Sequence, residues 1–377
     1  SYVDFASWDS YPLGFTELMP LAEPDKVRYA RCGHPDAAAF HHDLYRSMGP
    51  GRFWVMEQQP GPVNWAPWNP SPAPGMVRLW TWEARAHGAD AVCYFRWRQA
   101  ANAQEQMHAG LNRTDDTPDA AWPEIEEVGQ ELTVLSDTKR SIVALLFDYE
   151  TAWMLDIQPQ GADFRYLDLV FESYQALRRL GLNVDVVSST TDLGGYRLVL
   201  APCWPVLRPV DLGRAGGTLV LGPRSGSRTK TFGTATPPVD VLRVESLRPG
   251  LEERLLWGER SYPVQRWREW LSGEAGVEAK FGDGRPAVIR HGATVYIGCW
   301  PPLDFLVDWL EVECQRLRIA TWRLPADVRV RQRGDVSFMF NFGTEVVHLS
   351  DGYQWVLGGP EVAPCGLSAW RTKTVKK

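Results

Sequence analysis

Long apolar runs, paired cysteines and an excess of positive charge are all missing from this chain. No stretch of its 377 residues approaches the roughly 18 consecutive apolar residues of a membrane-spanning helix, so no membrane partner is expected. The six cysteines, Cys32, Cys93, Cys203, Cys299, Cys314 and Cys365, stand singly. Without a Cys-x-x-Cys or a nearby His pair there is no zinc site of the usual spacing, and so sparse a set predicts reduced thiols in a cytoplasmic protein rather than a secreted disulfide framework. A net charge of −6 supplies no basic field to draw nucleic acid. The first eight residues, Ser1 to Trp8, contain neither an initiator Met nor a signal-peptide core and read as the middle of a longer polypeptide. No repeat of 20 to 50 residues is present. What the chain does have is tryptophan: 18, against 14 Phe and 12 Tyr. Indole serves equally as core filler and as a platform for flat apolar ligand faces, sugars among them.

Three successive units in the first 140 residues repeat the order strand, polar loop, helix. The strands are read at 3–7, 53–58 and 91–96 and the helices at 35–48, 76–87 and 120–135. The middle helix is the best delimited, with Pro74 before it, Met76, Leu79, Trp80 and Ala84 at helical spacing, and Gly88 after it. Apolar strands between helices predict a parallel sheet. The polar run 136–141 marks a boundary. Beyond it a helix over 163–180 and strands at 142–147, 184–187, 198–201 and 218–221 follow the pattern of a doubly wound sheet, interrupted by a Gly/Ser/Thr-rich stretch over 222–236. Strands near 287–290 and 294–298 and a helix over 304–317 complete it. From 328 to 370 the period changes to 2, which predicts a small antiparallel β domain, with 371–377 expected to fray. The domains are thus expected at 1–140, 141–325 and 326–377.

Catalytic groups in (β/α) folds sit at the carboxyl ends of parallel strands. Glu57 occupies such a place, ending the run Phe53-Trp54-Val55-Met56 before a loop rich in Pro and Gly. Asp9 and Tyr11 close the first strand in the same way. The following loops deliver Asn64, Trp65 and Trp68, then Glu105 and His108. Carboxylates for displacement, indole for stacking and polar groups for hydroxyls are together the chemistry of a glycoside site.

At these residues a specific resemblance emerges. Met56-Glu57-Gln58-Gln59-Pro60-Gly61-Pro62-Val63-Asn64-Trp65, Tyr94-Phe95-Arg96-Trp97-Arg98 and Glu105-Gln106-Met107-His108-Ala109-Gly110-Leu111 resemble the family 42 glycoside hydrolases, the β-galactosidases. The resemblance implies a partial TIM (β/α)8 barrel entered near strand six, an amidotransferase-like trimerisation domain and a small C-terminal β domain. It implies a homotrimer acting on β-galactosides without a cofactor, with Glu57 as nucleophile of a retaining mechanism. Trp65 would be an aromatic wall, Glu105 and His108 would hold galactose hydroxyls, and Tyr11 and Phe95 would line the nucleophile's surroundings; Asn64 and Trp68 are further candidates. The family's acid/base is the Glu of an Asn-Glu pair at the end of the fourth barrel strand, and this chain has no Asn-Glu pair. That glutamate, five βα units and a cysteine cluster for zinc are expected on polypeptide outside this sequence, and the chain by itself is expected to be inactive. Two other readings are a non-catalytic sugar-binding or assembly subunit, and an amidotransferase with Cys203 as nucleophile in a domain whose one histidine is His291. The second is opposed by Pro202-Cys203-Trp204-Pro205, which lacks the glycines of a nucleophile elbow.

Overall fold

A computed structural model describes residues 4–49, 51–132 and 135–372. Contacts divide the chain into two compact units, residues 1–140 with 323–377, and residues 141–322.

The first unit opens with β1 (Ala6–Ser10), α1 (Pro12–Leu18), α2 (Glu23–Tyr29), α3 (Ala37–Met48), β2 (Phe53–Gln58), α4 (Met76–His87), β3 (Ala89–Tyr94) and α5 (Trp122–Glu131). The first strand is shifted three residues later than its apolar run predicts, and Val3 lies outside the described residues. Two short helices, α1 and α2, occupy what the sequence presents as loop; each has proline in its first two positions, where a missing N–H costs nothing. The helix predicted to 135 stops at Glu131, and residues 133 and 134 lie outside the described set. Gly75 and Gly88, both at positive φ, bracket α4.

β1, β2 and β3 form a parallel sheet in that order. On one face, Phe53 and Val55 pack with Trp8, Ala38 of α3 and Ala84 of α4. Alternation turns Met56 the other way, and it is exposed.

The second unit contains β4 (Val143–Leu146), α6 (Tyr149–Ile157), α7 (Tyr166–Arg179), β5 (Asp185–Val187), β6 (Leu198–Ala201), β7 (Thr218–Leu221), β8 (Val241–Leu247), β9 (Glu253–Trp257), β10 (Arg260–Val264), β11 (Arg266–Leu271), β12 (Val277–Phe281), β13 (Pro286–His291), β14 (Thr294–Ile297) and α8 (Leu303–Arg316). Its main sheet runs β10-β9-β12-β13-β14-β7-β6-β4-β5. The parallel part, β5-β4-β6-β7-β14, has the 2-1-3-4-5 order of flavodoxin-like sheets. The predicted doubly wound sheet therefore requires a correction: four further strands extend it in antiparallel fashion, and β8 pairs with β11 in a separate ribbon. Of these strands β13 matches the one expected near 287–290, whereas β8 to β12 have no counterpart in the expected pattern; β8, Val-Leu-Arg-Val-Glu-Ser-Leu, has no sustained period of 2.

The chain then returns to the first unit with β15 (Val328–Arg333), β16 (Val336–Asn341), β17 (Val347–His348), β18 (Tyr353–Leu357), β19 (Glu361–Val362) and β20 (Gly366–Thr372). β15-β16-β20-β18 form an antiparallel sheet. Phe338, Phe340 and Leu367 share a core with Trp80 and Trp82 of α4, which puts the small β domain in one unit with the first 140 residues.

Arginines alternate along β15, and all three are buried. Arg329 makes two hydrogen bonds to the Asp36 carboxylate, at 2.6 and 2.5 Å. Arg331 pairs with Asp43 of α3 at 3.3 Å, and Arg333 donates to the carbonyls of Ser136 (2.9 Å) and Arg85 (2.5 Å). Asp43 also holds Arg46 and accepts from His87 Nδ1 at 2.8 Å.

Candidate functional site

The register of the parallel sheet sets the site. Asp9 lies opposite Glu57 and Ser10 opposite Gln58, while Gln58 pairs with Tyr94. The ladder continues past the strands through Gln59 N–H to the Ser10 carbonyl (2.9 Å) and Phe95 N–H to the Gln58 carbonyl (3.1 Å). Three strands consequently end level, and the side chains that follow them meet.

Tyr11, one residue beyond β1, donates its hydroxyl to Glu57 Oε2. Burial pushes that phenol far above its ordinary range, and the hydrogen bond to Glu57 adds to the shift, so Tyr11 remains a donor at any working pH. The Asp9 carboxyl is raised by burial and then by the charge of Glu57. The Trp65 ring stands edge-on to Tyr11 with centroids 5.6 Å apart and leans on Phe15 at 5.9 Å, yet is 42% exposed, so one face is open. Gly14 of α1 makes this seat possible: a Cβ there would lie 2.5 Å from the indole.

His108 packs edge-on to both Tyr11 (5.6 Å) and Phe95 (5.0 Å). Burial, and then the Arg96 charge, lower its pKa, so the imidazole is neutral near pH 7, with one nitrogen donating and the other accepting. Neither nitrogen has a hydrogen-bond partner among the described residues, although the side chain is buried. A hydroxyl group, itself donor and acceptor, is the natural complement. Ser10 Oγ and both amide atoms of Gln58, at adjacent strand ends, are buried and unpartnered as well. Such groups are costly unless a ligand or ordered water satisfies them.

Glu105 forms an ion pair with Arg96, whose guanidinium lies over the Phe95 ring at 4.4 Å. The peptide between Phe95 and Arg96 is cis. Arg96 thus joins two of the candidate residues, a role the sequence reading had not given it; its signal was a charge directly after an aromatic strand end. Gln59 is a second such residue: buried, it accepts from Leu13 N–H (3.1 Å) and donates to the Gly61 carbonyl (2.8 Å), tying α1 to the loop after β2. The loop that carries His108 is fixed by Ala109 N–H to the Pro62 carbonyl (2.9 Å) and Leu111 N–H to the Arg96 carbonyl (2.7 Å).

Tyr11, Glu57, Trp65, Phe95, Glu105 and His108 therefore form one chain of contacts through Arg96. Asn64 is spent on a loop bridge to the Gln104 carbonyl (3.1 Å), and Trp68, 70% exposed, stands outside the ring cluster. Cys203, just beyond β6, is buried, and burial drives its thiol far above the ordinary range, which disfavours the thiolate a nucleophile requires. His291 sits exposed at the end of β13, and the charges acting on Cys203 are those of Arg224 and Glu269. Among the described residues no group of three or more His, Cys, Asp or Glu is arranged to hold a metal ion, and no helix is long and apolar enough to cross a membrane.

The family model described as "Beta-galactosidase" matches residues 1–135, and the one described as "Beta-galactosidase trimerisation domain" matches 141–319. A β-galactosidase of Thermus thermophilus is 50% identical over 98% of this chain and 60% of its own length. One of Haloferax lucentense is 38% identical over 94% of this chain and 58% of its own. The crystal structure of β-galactosidase from the psychrophilic Marinomonas ef1 superposes with a TM-score of 0.94 at 40% identity, covering 98% of this chain and 61% of that one. The chain thus spans about 60% of the length of the relatives it matches. With the strand-end carboxylate in its ring of Tyr, Trp and His, and both family models in chain order, the chain belongs to the family 42 glycoside hydrolases.

Proposed function

We propose that the strand-end cluster is the nucleophile half of a retaining β-galactosidase site, and that residues 1–140 are the last three βα units of a TIM barrel whose other five lie on polypeptide outside this sequence. The hydrogen bond from Tyr11 to Glu57 at the level ends of β1 and β2, with the unpartnered His108 nitrogens and the open Trp65 face beside it, is the observation that carries the reading.

In the first step a Glu57 carboxylate oxygen bonds to the anomeric carbon as the bond to the leaving oxygen breaks; in the second, water displaces Glu57 and releases galactose. Tyr11 restrains Oε2 and orients the carboxylate. Trp65 stacks on the sugar, and His108 and Glu105 hold its hydroxyls, Glu105 steered by Arg96. Neither step needs a cofactor. The leaving oxygen requires a proton from a second carboxyl group about 5 Å from the first, and that group takes a proton back from the attacking water in the second step. That acid is assigned to the Asn-Glu pair which this chain lacks, so the chain alone is expected to be inactive. Through residues 141–319 it is proposed to assemble as a homotrimer.

The test compares the 377-residue chain with the same chain fused behind the part of the Thermus thermophilus β-galactosidase that lies outside the matched region. The expected result is no hydrolysis of nitrophenyl β-galactoside by the chain and clear hydrolysis by the fusion. Turnover by the chain alone would overturn the division of the site. A further variant probes the stacking wall. In the fusion, Gly14→Ala should displace the Trp65 indole and raise KM roughly two- to tenfold, the 0.5–1.5 kcal/mol of one ring contact, with kcat less affected. An unchanged KM would remove Trp65 from the binding wall.

A further inference from the structure

We propose that an exposed stripe on α6, formed by Tyr149, Trp153 and Ile157, is the surface through which each copy of this chain seats on the next; the inference rests on the trimer proposed above and assigns its interface. The helix reads Tyr-Glu-Thr-Ala-Trp-Met-Leu-Asp-Ile. Thr151, Met154 and Leu155 are buried against the rest of the unit. A helix at the surface of a domain normally turns polar residues outward. Here the spacing of four places Tyr149, Trp153 and Ile157 on one face, and they are 46, 60 and 69% exposed. A helix that is apolar on both sides belongs to a buried environment, and the chain by itself buries only one of them.

The position of α6 in the fold extends the patch. It follows β4, at the point where the strand order of the parallel sheet reverses, between β4 and β6. A cavity of about 920 Å³ runs alongside, where Trp204, Val206 and Phe232 add apolar wall. Most of its charged groups are already engaged. Arg208 and Arg214 bind Asp211, and the Asp148 carboxylate accepts from the Ser189 N–H at 3.1 Å. No buried, unpartnered polar atom of the described residues lines it. A small polar ligand would find few groups to recognise it, whereas a flat apolar protein surface would be well matched.

A second copy is the occupant to which the surroundings point, because the stripe lies within the segment that matches the trimerisation model. A closed ring of three uses a heterologous interface, in which one patch of each copy meets a different patch of its neighbour. One change per chain therefore breaks all three contacts.

The experiment measures the mass of the purified 377-residue chain by sedimentation equilibrium at micromolar concentration. The unsubstituted chain is expected to be a trimer, the Trp153→Glu/Ile157→Glu variant a monomer with unchanged far-ultraviolet circular dichroism, and Leu167→Glu, an exposed site on α7, still a trimer. A trimer that persists in the stripe variant would overturn the assignment of the surface and leave the trimer reading standing. A monomeric unsubstituted chain would remove both. Should the double variant fail to fold, hydroxyl-radical labelling of the unsubstituted chain decides: protection of Tyr149 and Trp153 that grows with concentration supports the interface, and labelling that does not change overturns it.

Discussion

Glu57→Gln in the fusion protein should lower kcat for nitrophenyl β-galactoside by at least about 10⁴-fold, the scale on which removal of a covalent nucleophile acts. Glutamine keeps the size of the side chain and an oxygen to accept from Tyr11, so the strand ends should remain level and the loss should fall on chemistry rather than folding. The neighbouring carboxylate makes the experiment discriminating. Asp9 lies opposite Glu57 on β1 and senses its charge. If Asp9→Asn abolished turnover while Glu57→Gln retained it, the nucleophile would move to the adjacent strand. Glu57→Gly offers a second readout. Azide entering the space left by the carboxylate attacks from the same side, so the product should be the α-galactosyl azide, and a β product or none would contradict a nucleophile at position 57.

Asp43→Asn should cost about 3–5 kcal/mol of stability, the loss seen when one member of a buried ionic network is neutralised and its partners are left unpaired. Asp43 is fully buried and holds Arg46, His87 and Arg331, so the change removes the negative charge that faces two guanidinium groups in the seam between α3 and β15. Thermal or urea unfolding gives the measurement, and a loss below about 1 kcal/mol would show that the seam is held by apolar packing alone. The pH dependence has a definite sign. Burial would raise the Asp43 carboxyl, but Arg331, Arg46 and His87 more than reverse this and hold it well below the ordinary value of 3.8. The folded state thus binds fewer protons here than the unfolded one. The contribution is complete above about pH 4 and is lost as pH falls through the depressed folded value. The deficit of the Asn variant should accordingly narrow in acid below pH 4.

The same seam shows where a reading from sequence stops. Val328-Arg329-Val330-Arg331 announces a strand, and in a half-exposed strand the arginines would face water. They are instead buried, because Asp36 and Asp43 wait on and beside α3, and Asp36 is 293 residues away from Arg329. Nothing local in β15 announces that partner. His108 is similar: its loop and its polarity are evident from the chain, while its neutral, unpartnered state between Tyr11 and Phe95 depends on three strand ends arriving together. Most of the Trp excess also resolves only in three dimensions. Trp80 and Trp82 vanish into the core under the C-terminal sheet, while Trp65 keeps an open face.

By itself the sequence determined the αβ alternation of the first 140 residues, the limits of α4 between Pro74 and Gly88, the placement of Glu57, Asp9 and Tyr11 at strand ends, and the family motifs around them. These rest on periodicity, turn chemistry and short-range spacing, which act within a few residues. Tertiary structure alone decided the antiparallel extension of the second sheet, the ion pairs of the β15 arginines, the link through Arg96 and the bare face of α6. Each depends on what stands opposite a side chain once distant segments meet. Burial, and with it the cost or gain of a charge or an indole, is a property of that encounter rather than of any stretch of chain.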